Sequence, residues 1–200
     1  MKIDCLPKGQ FEENVYILHD SNNVLIIDPG ANAKEIVKYI DDNEKVVAIL
    51  LTHGHSDHTL AVDDLCDLYN CEVYISLKDY VLVDPRKQIN AGYALPIYHE
   101  IKDINMVSDI NEFSLTIYET PGHTSGSVCI KCKNNLFTGD TLFSSSIGRT
   151  DLYSGNEEDM IESLKFLKGL PKDLKVYPGH GPSTSIGDEL LKNPYLLMVE

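Results

Sequence analysis

The amino-acid sequence predicts a mixed α/β fold, and two patterns support this prediction. Short apolar runs of strand length alternate with segments of helical periodicity, first in the order β, α, β and again in the second half. Several of these runs end in a glycine that is followed at once by histidine or aspartate. With 200 residues the chain can bury a full core, so we expect a single domain over residues 1–200.

The amino-acid composition limits the kinds of molecule that the protein is expected to bind. Hydrophobic residues make up 42% and charged residues 24% of the chain, which is typical of globular proteins. The net charge of −14 disfavours nucleic acid and anionic membranes as partners. No segment has the apolar length of a membrane span and the N-terminus does not resemble a secretory leader, so we expect a cytoplasmic protein.

The five cysteines are irregularly spaced and do not indicate a disulfide framework. Cys129 and Cys132 lie three residues apart in a predicted strand, so they should point to opposite faces rather than form a redox pair. Cys66 lies on the apolar stripe of a predicted helix and is interpreted as a core residue.

The first quarter of the chain predicts strands at residues 14–19 and 24–27, joined by a short polar turn. Asp28 follows the second strand, either as a turn residue or as a group that orients a metal ligand, and both interpretations stay open. Asn32 is placed to cap a helix. Residues 46–51 are a run of mostly branched apolar residues, typical of a strand buried on both faces.

The middle of the chain is less regular. Residues 60–69 predict an amphipathic helix, residues 72–75 a short strand, and residues 77–83 a short helix. Residues 84–103 include two prolines, a glycine and a histidine, and predict a long surface loop that is either a lid or a variable connector.

The second half returns to short strands. These are predicted over residues 113–119, 126–131, 135–137 and 174–177. Asn156 is placed to cap a helix with an acidic first turn, which Gly169 and Pro171 should end. A closing helix is expected over residues 187–196.

The most distinctive stretch is Thr-His-Gly-His-Ser-Asp-His at residues 52–58, directly after a predicted buried strand. Its candidate ligands are His53, His55, Asp57 and His58, which are residue types that zinc and similar divalent metals accept. A single loop histidine would more often be solvent-exposed. This density of ligand types instead predicts half of a metal site.

Four predicted strands end in the same way, with a glycine followed by a candidate ligand. The pairs are Gly54-His55, Gly122-His123, Gly139-Asp140 and Gly179-His180. Because glycine permits tight turns and close approach, we expect these loops to converge at one edge of a sheet sandwich. Five histidines and two aspartates suit two metal ions that share a carboxylate, and the lack of nearby cysteine favours a catalytic site.

Residues 52–58 resemble the T-H-x-H-x-D-H signature of the metallo-beta-lactamase superfamily, and the other candidates follow in the order of its remaining motifs. The resemblance implies the metallo-beta-lactamase fold, a four-layer αββα sandwich with the site at its edge. It also implies the ligand sets: His53, His55 and His123 for one metal, Asp57, His58 and His180 for the other, and Asp140 as the bridge.

Within the superfamily, residues 120–127 and 138–143 are most similar to glyoxalase II (hydroxyacylglutathione hydrolase). Arg149, followed by Thr150-Asp151, departs from the lysine and tyrosine of fuller members and resembles compact bacterial forms and persulfide dioxygenases. The sequence ends soon after His180, so we expect the compact form without a C-terminal helical domain. Arg149 is a candidate for binding a substrate carboxylate, with an internal salt bridge to Asp151 or another carboxylate as the alternative.

The resemblance implies a binuclear metallohydrolase that cleaves a thioester, such as S-lactoylglutathione or a related small acyl-thiol, with hydroxide formed at the metals. Asp57 would also orient the nucleophile. Zinc is expected first, with iron or manganese as alternatives, since histidine and aspartate accept all three.

Three other classes stay open: a mononuclear iron persulfide dioxygenase, a phosphodiesterase or nuclease, and a metal-binding protein without catalysis. The acidic charge disfavours the nuclease. The acyl group, the thiol carrier and the oligomeric state do not follow from the sequence.

Overall fold

Two β-sheets pack face to face in the computed structural model, which describes residues 1–8, 13–87, 93–110 and 113–199. Within these residues one sheet has six strands and the other has five, and a separate ribbon has two. Helices pack on the outer face of each sheet. The predicted four-layer αββα sandwich is therefore confirmed.

The six-stranded sheet has its strands in sequential order. They are β1 (Lys2–Lys8), β2 (Glu13–Asp20), β3 (Asn23–Ile27), β4 (Lys45–Leu50), β5 (Glu72–Ile75) and β6 (Ile101–Asp103). The pairs β1–β2 and β2–β3 are antiparallel, and β3 to β6 run parallel. Parallel neighbours need crossover connections, which is why helical segments separate β3, β4 and β5 along the chain.

The five-stranded sheet has the order β13-β12-β9-β8-β7. Its strands are β7 (Leu115–Glu119), β8 (Val128–Cys132), β9 (Asn135–Gly139), β12 (Lys175–Pro178) and β13 (Thr184–Ser185), and the ribbon is β10 (Leu142–Phe143) with β11 (Ser146–Ile147). β8 is antiparallel to β7 and β9, and β12 is parallel to β9. Strands β7, β9 and β12 therefore run in the same direction.

Helices in the described ranges fall into two groups. Those of the first half are α1 (Ala33–Ile36), α2 (Ser56–Thr59), α3 (Val62–Tyr69) and α4 (Tyr80–Val83), and those of the second half are α5 (Glu157–Lys168), α6 (Ile186–Lys192) and α7 (Pro194–Met198). Short 3₁₀ segments cover Val37–Tyr39 and Ile104–Asp109. The predicted caps are present, since the side chains of Asn32 and Asn156 accept hydrogen bonds from the first turns of α1 and α5.

Three apolar clusters fill the spaces between the four layers. Alternation along the strands produces them: on β2, Val15 and Ile17 face the first helical layer, whereas Tyr16 and Leu18 face the other sheet. β3 and β4 are likewise buried on both faces, as the apolar run at residues 46–51 predicts.

The same alternation separates two of the cysteines. Cys129 packs in the cluster between the five-stranded sheet and α5, whereas Cys132 packs between the two sheets. The prediction that they point to opposite faces is confirmed, so they do not form a pair.

Several predicted elements need correction. β1 was not predicted, because residues 2–8 show no turn signal or clear apolar alternation. The loop expected over residues 84–103 is only partly a surface loop: β6 begins within it, and Ile97 is buried with its amide donating to the Val83 carbonyl. Residues 88–92 of that stretch lie outside the described residues.

Other differences are in element bounds. The helix predicted over residues 77–83 is α-helical only at α4, and the closing helix is divided at Asn193, whose side chain caps α7. No helix among the described residues combines the length and apolar character needed to cross a membrane.

We expect Ile130→Ala to lower the free energy of unfolding by about 2–5 kcal/mol, because Ile130 is fully buried between the sheets and its loss leaves a cavity. Leu191→Ala is the matched control, since Leu191 is 81% exposed on α6 and its truncation should stay within about 0.5 kcal/mol. Urea unfolding measures both. Equal effects would contradict the assignment of Ile130 to the inter-sheet core.

Candidate metal centre

The candidate ligands lie at one edge of the sandwich because the strands that precede them end there. In the six-stranded sheet β3 and β4 are parallel, and Asp28 and residues 52–58 follow their carboxyl ends. In the other sheet β7, β9 and β12 share a direction, and His123, Asp140 and His180 follow them. A backbone hydrogen bond from the Val128 amide to the Thr52 carbonyl joins the two sets, and one from the Gly179 amide to the Gly139 carbonyl joins the ends of β12 and β9 within the second set.

Two groups of candidate ligands form at this edge, each with its ligand atoms within 4.8 Å of one another. One group contains His53, His55 and His123, and the other contains Asp57, His58 and His180. These are the two sets that the family resemblance implies, and the structure brings both together.

Asp140 lies between the two groups. Its Oδ1 is 3.4 Å from His58 Nε2, and its Oδ2 is 3.4 Å from His123 Nε2 and 3.5 Å from His180 Nε2. One carboxylate thus contacts ligands of both sets, which is the position of a bridging ligand.

Unsatisfied buried atoms test whether a metal fits here. His53 Nε2, His55 Nε2, His58 Nε2 and Asp140 Oδ1 are buried and make no hydrogen bond. Buried polar atoms without a partner cost free energy, so several in one place are unusual unless another group satisfies them. Imidazole nitrogens and a carboxylate are suitable donors for a divalent cation, and the residues fit a metal centre.

The carboxylate of Asp28 is hydrogen-bonded to the His58 ring and to Thr52. Its Oδ1 accepts from the Thr52 amide at 2.7 Å, and its Oδ2 accepts from the Thr52 hydroxyl at 2.6 Å and from His58 Nδ1 at 3.0 Å. Asp28 is also close to His53 and His58 as a third potential ligand group, but these bonds occupy both of its oxygens. With Nδ1 held, His58 presents Nε2 to the centre.

The geometry of Asp28 is compatible with both interpretations. Its backbone has φ of +50°, a left-handed conformation uncommon outside glycine, as the turn interpretation predicts. The side chain meanwhile holds His58. A strained backbone conformation persists only when surrounding interactions hold it, and such residues are often found at functional sites.

His123 is held by the segment that follows β11. Its Nδ1 donates to the Arg149 carbonyl at 2.7 Å, and its Nε2 is 2.9 Å from His55 Nδ1. The Arg149 guanidinium does not take part in this contact and forms a bidentate pair with Asp151 at 2.7 and 2.8 Å. The internal salt bridge considered for Arg149 is thus present.

Glycine at two of the strand ends allows side chains of the site to pack directly against the backbone. A Cβ on Gly179 would lie 2.3 Å from Asp140 Oδ1 and 2.8 Å from His58 Cε1. A Cβ on Gly139 would lie 2.2 Å from the Thr52 hydroxyl, and Gly139 has φ of +46°. Neither position can carry a side chain without moving site residues.

Asp79 was missing from the sequence-based candidates and is fully buried behind the site. Its carboxylate accepts from the Gly54 amide at 3.0 Å, the Gly126 amide at 2.8 Å and the Thr124 hydroxyl at 2.7 Å. It therefore ties the loop after β4 to the loop after β7. Its place after β5, which is parallel to β4, is the signal that could have identified it.

Burial and neighbouring charges set the ionisation of the centre. Burial lowers the pKa of His53 well below its usual value and that of His55 to about 4, with further lowering by neighbouring imidazoles. For His58 burial also acts downward, but Asp140 and Asp28 raise its pKa overall. Burial opposes ionisation of Asp140, yet His58 and His123 keep its pKa low. Neutral His53 and His55 and an ionised Asp140 are in the states that bind metals, whereas His58 would have to release a proton when a metal binds.

An open cavity of about 420 Å³ gives access to both groups. It is lined by His55, Asp57, Tyr93, His123, Asp140, Phe143, Gly148, Arg149, Leu152 and His180. The Tyr93 ring packs edge-on against His55, with 5.1 Å between ring centroids, and its hydroxyl accepts from the Tyr153 amide. Sequence reasoning missed Tyr93, which lies in the loop expected over residues 84–103.

Glu13 at the start of β2 was also missed. Its side chain is 3% exposed, and neither carboxyl oxygen makes a hydrogen bond. Burial raises the pKa of Glu13 to about 9, with His58 acting against the shift and Asp28 reinforcing it. In the metal-free protein this shift favours the protonated carboxyl at pH 7.

We expect Asp28→Asn to weaken metal binding by about 10–100-fold, because His58 loses the carboxylate that holds its Nδ1. Competition against a chromophoric chelator measures the affinity. Asp20→Asn is the control, since this carboxylate pairs with Lys133 on the surface and its loss should leave metal affinity unchanged. Parent-like affinity in Asp28→Asn would contradict the orienting role.

We compare the free energies of unfolding of Glu13→Gln and the parent protein after chelation has removed any metal. We expect the value for Glu13→Gln minus the value for the parent to increase from pH 5 to pH 8. Between an unfolded pKa of about 4.3 and the folded pKa of about 9, the folded parent holds more protons, so its stability falls as pH rises. The slope is at most about 1.4 kcal/mol per pH unit. Glutamine does not titrate, and a pH-independent difference between the two proteins would refute the raised pKa.

Comparison with known proteins agrees with this geometry. The family description "Metallo-beta-lactamase superfamily" matches residues 9–180. A protein of Streptococcus pyogenes named "Probable metallo-hydrolase" is 38% identical over 92% of this chain and 85% of its own length. Hydroxyacylglutathione hydrolase GloC of Haemophilus influenzae is 33% identical over 98% of both chains.

Solved structures share the fold over nearly the whole chain. The B3 metallo-beta-lactamase BLEG-1 is 33% identical with a TM-score of 0.85, covering 98% of this chain and 99% of that one. TTHA1623, solved in a di-iron-bound form, is 31% identical with a TM-score of 0.86, covering 96% and 100%. ETHE1 from Myxococcus xanthus, at 24% identity and a TM-score of 0.74 over 97% and 84%, shows the fold alone. The match over residues 9–180 and these similarities show that the chain belongs to the metallo-beta-lactamase superfamily.

Proposed function

We propose that this protein is a metal-dependent hydrolase that cleaves a thioester of a small acyl-thiol, with S-lactoylglutathione as the representative substrate. The observation that carries the proposal is the position of Asp140 between two ligand groups at the base of an open cavity. An arrangement open on one side suits catalysis, since a structural metal site would be closed by protein ligands.

Two divalent cations are the proposed cofactors. His53, His55 and His123 would hold one, Asp57, His58 and His180 the other, and Asp140 both. When bound, such ions lower the pKa of a coordinated water towards about 7 and polarise a carbonyl oxygen. Zinc is proposed first, and iron is the alternative that the di-iron form of TTHA1623 supports.

Asp57 is the proposed catalytic residue among the chain's own groups. It lines the cavity, and its Oδ2 lies 3.5 Å from His180 Nε2. Burial acts to raise the pKa of Asp57, but the hydrogen bond from His180 and the charge of His58 lower it overall. An ionised carboxylate here can accept a hydrogen bond from the attacking water and fix its direction.

Substrate recognition is proposed for the segment that holds Arg149. The Arg149 and Asp151 side chains are 62% and 68% exposed, and an exposed ion pair of this kind contributes only about 0–1 kcal/mol. A substrate carboxylate can therefore replace Asp151 at little cost and keep the bidentate geometry. The similarity to GloC of Haemophilus influenzae supports a glutathione thioester as the first substrate to assay.

The mononuclear dioxygenase is a weaker alternative. It would need only two histidines and Asp140, and would leave the group of Asp57, His58 and His180 without a role. The likeness to ETHE1 is at the level of the fold. The close approach of all three residues of that group therefore favours two metal ions.

We expect zinc-loaded protein to hydrolyse S-lactoylglutathione, and His55→Ala to lower kcat/KM by more than about 100-fold. Loss of a residue that only orients a metal ligand lowers activity by about 10–100-fold, and removing a ligand itself should lower it further. The fall in thioester absorbance measures the rate. His99→Ala is the matched control, since His99 pairs with Asp63 outside the cavity and should retain parental activity.

Circular dichroism of His55→Ala should match the parent and so exclude unfolding as the cause. Parental activity in His55→Ala would contradict the proposal. So would one iron per chain with oxygen uptake on glutathione persulfide and no thioester cleavage, which would establish the dioxygenase.

A further inference from the structure

A pair of thiols lies at the corner between α3 and β5, apart from the metal ligands. Cys66 is in the last turn of α3, and Cys71 directly precedes β5. Their sulfur atoms are 3.9 Å apart. Asn70, between them, has φ of +49° and ends the helix, which turns the chain back so that the two side chains meet.

The other cysteines have different neighbours. Cys5 Sγ is 3.5 Å from Asn14 Oδ1, Cys129 Sγ is 3.4 Å from the Thr120 hydroxyl, and Cys132 Sγ is 3.5 Å from Met1 Sδ. Within the described residues, Cys66 and Cys71 are thus the two thiols in mutual contact.

The two thiols differ in access and acidity. Cys66 is 3% exposed, whereas Cys71 is partly exposed. The hydrogen bond between them lowers the pKa of Cys71, to which His99 also contributes, and raises that of Cys66. Because Cys71 is the more exposed of the two, it is the thiol that solvent-borne reagents reach.

We propose that Cys66 and Cys71 form an oxidation site that takes a hydroperoxide and closes into a reversible intramolecular disulfide. Cys71 is the attacking thiol and Cys66 the resolving thiol. The site is independent of the metal centre and of the hydrolase activity proposed above.

The chemistry balances with hydrogen peroxide as the oxidant. The Cys71 thiolate attacks one peroxide oxygen, the O–O bond breaks, and hydroxide leaves as water after gaining the thiol proton, which gives a sulfenic acid. The Cys66 sulfur then attacks the Cys71 sulfur, the S–O bond breaks, and the second water leaves with the Cys66 proton. Two thiols and one peroxide thus give one disulfide and two waters.

Closure requires the two sulfurs to move together. A disulfide has its sulfurs about 2.05 Å apart, so Cys66 Sγ and Cys71 Sγ must approach by roughly 2 Å. The bond would link the end of α3 to the start of β5, and neither position carries a metal ligand.

The chain offers a clean readout. Residues 46–77 contain no lysine or arginine and are flanked by Lys45 and Lys78, so trypsin places Cys66 and Cys71 on one peptide and the other cysteines on others. Zinc-loaded protein is treated with hydrogen peroxide, its remaining thiols are alkylated after denaturation, and the peptides are weighed. We expect this peptide to lose two hydrogens and accept no alkyl group, and dithiothreitol to restore both thiols.

Cleavage before Asp67 makes the result unambiguous, because it leaves two pieces joined only through the disulfide. Cys71→Ser and Cys66→Ser should each abolish the linked product, and Cys5→Ser should not change it. Alkylation of both Cys66 and Cys71 under conditions that oxidise the exposed Cys5 would overturn the proposal. Conversion of Cys71 to its sulfinic acid with Cys66 still free would do the same.

Discussion

The site depends on one constraint, which is that every strand carrying a candidate ligand ends at the same edge of the sandwich. β3 and β4 do so in one sheet, and β7, β9 and β12 do so in the other. Side chains at these ends need only short loops to meet, and short loops lose little conformational entropy when they are fixed. The direction of the strands therefore decides where the candidate ligands meet, and the residue types at the strand ends decide what they can bind.

Burying this many polar groups has a cost that the rest of the structure offsets. His53, His58 and Asp28 are almost completely excluded from solvent. Hydrogen bonds from Thr52 and His58 satisfy Asp28, and three donors satisfy Asp79, so the carboxylates around the centre are fixed in direction. The apolar clusters on either side of each sheet supply the stability that keeps these polar groups dry. A rigid, preorganised shell results.

The sequence predicted the fold class, the hairpin at the start and the sets of residues that the structure brings together. Those predictions rested on local patterns, such as the histidine-rich stretch at residues 52–58 and glycine before a ligand at four strand ends. These patterns did not identify Asp79 or Glu13. Each is a single carboxylate in an ordinary segment, and its importance comes only from the loops that tertiary packing brings to it.

The same limit explains the missed strands. β1 lies at the sheet edge, and β6 has only three half-buried residues, so neither needs a strong apolar alternation. Their pairing is decided by the neighbouring strand and not by their own sequence. Tyr93 likewise gains its role from contact with His55, across a distance along the chain that no local pattern spans.

The bond between His123 and the main chain at position 149 has a consequence for substitutions at the cavity rim. Because a carbonyl oxygen holds the imidazole, the side chain at that position can vary while the ligand keeps its orientation. Substitution of the Arg149 side chain can then change the chemistry of the cavity rim without disturbing the orientation of His123. A side-chain change at the rim and the geometry of the buried histidine are therefore independent of each other in this fold.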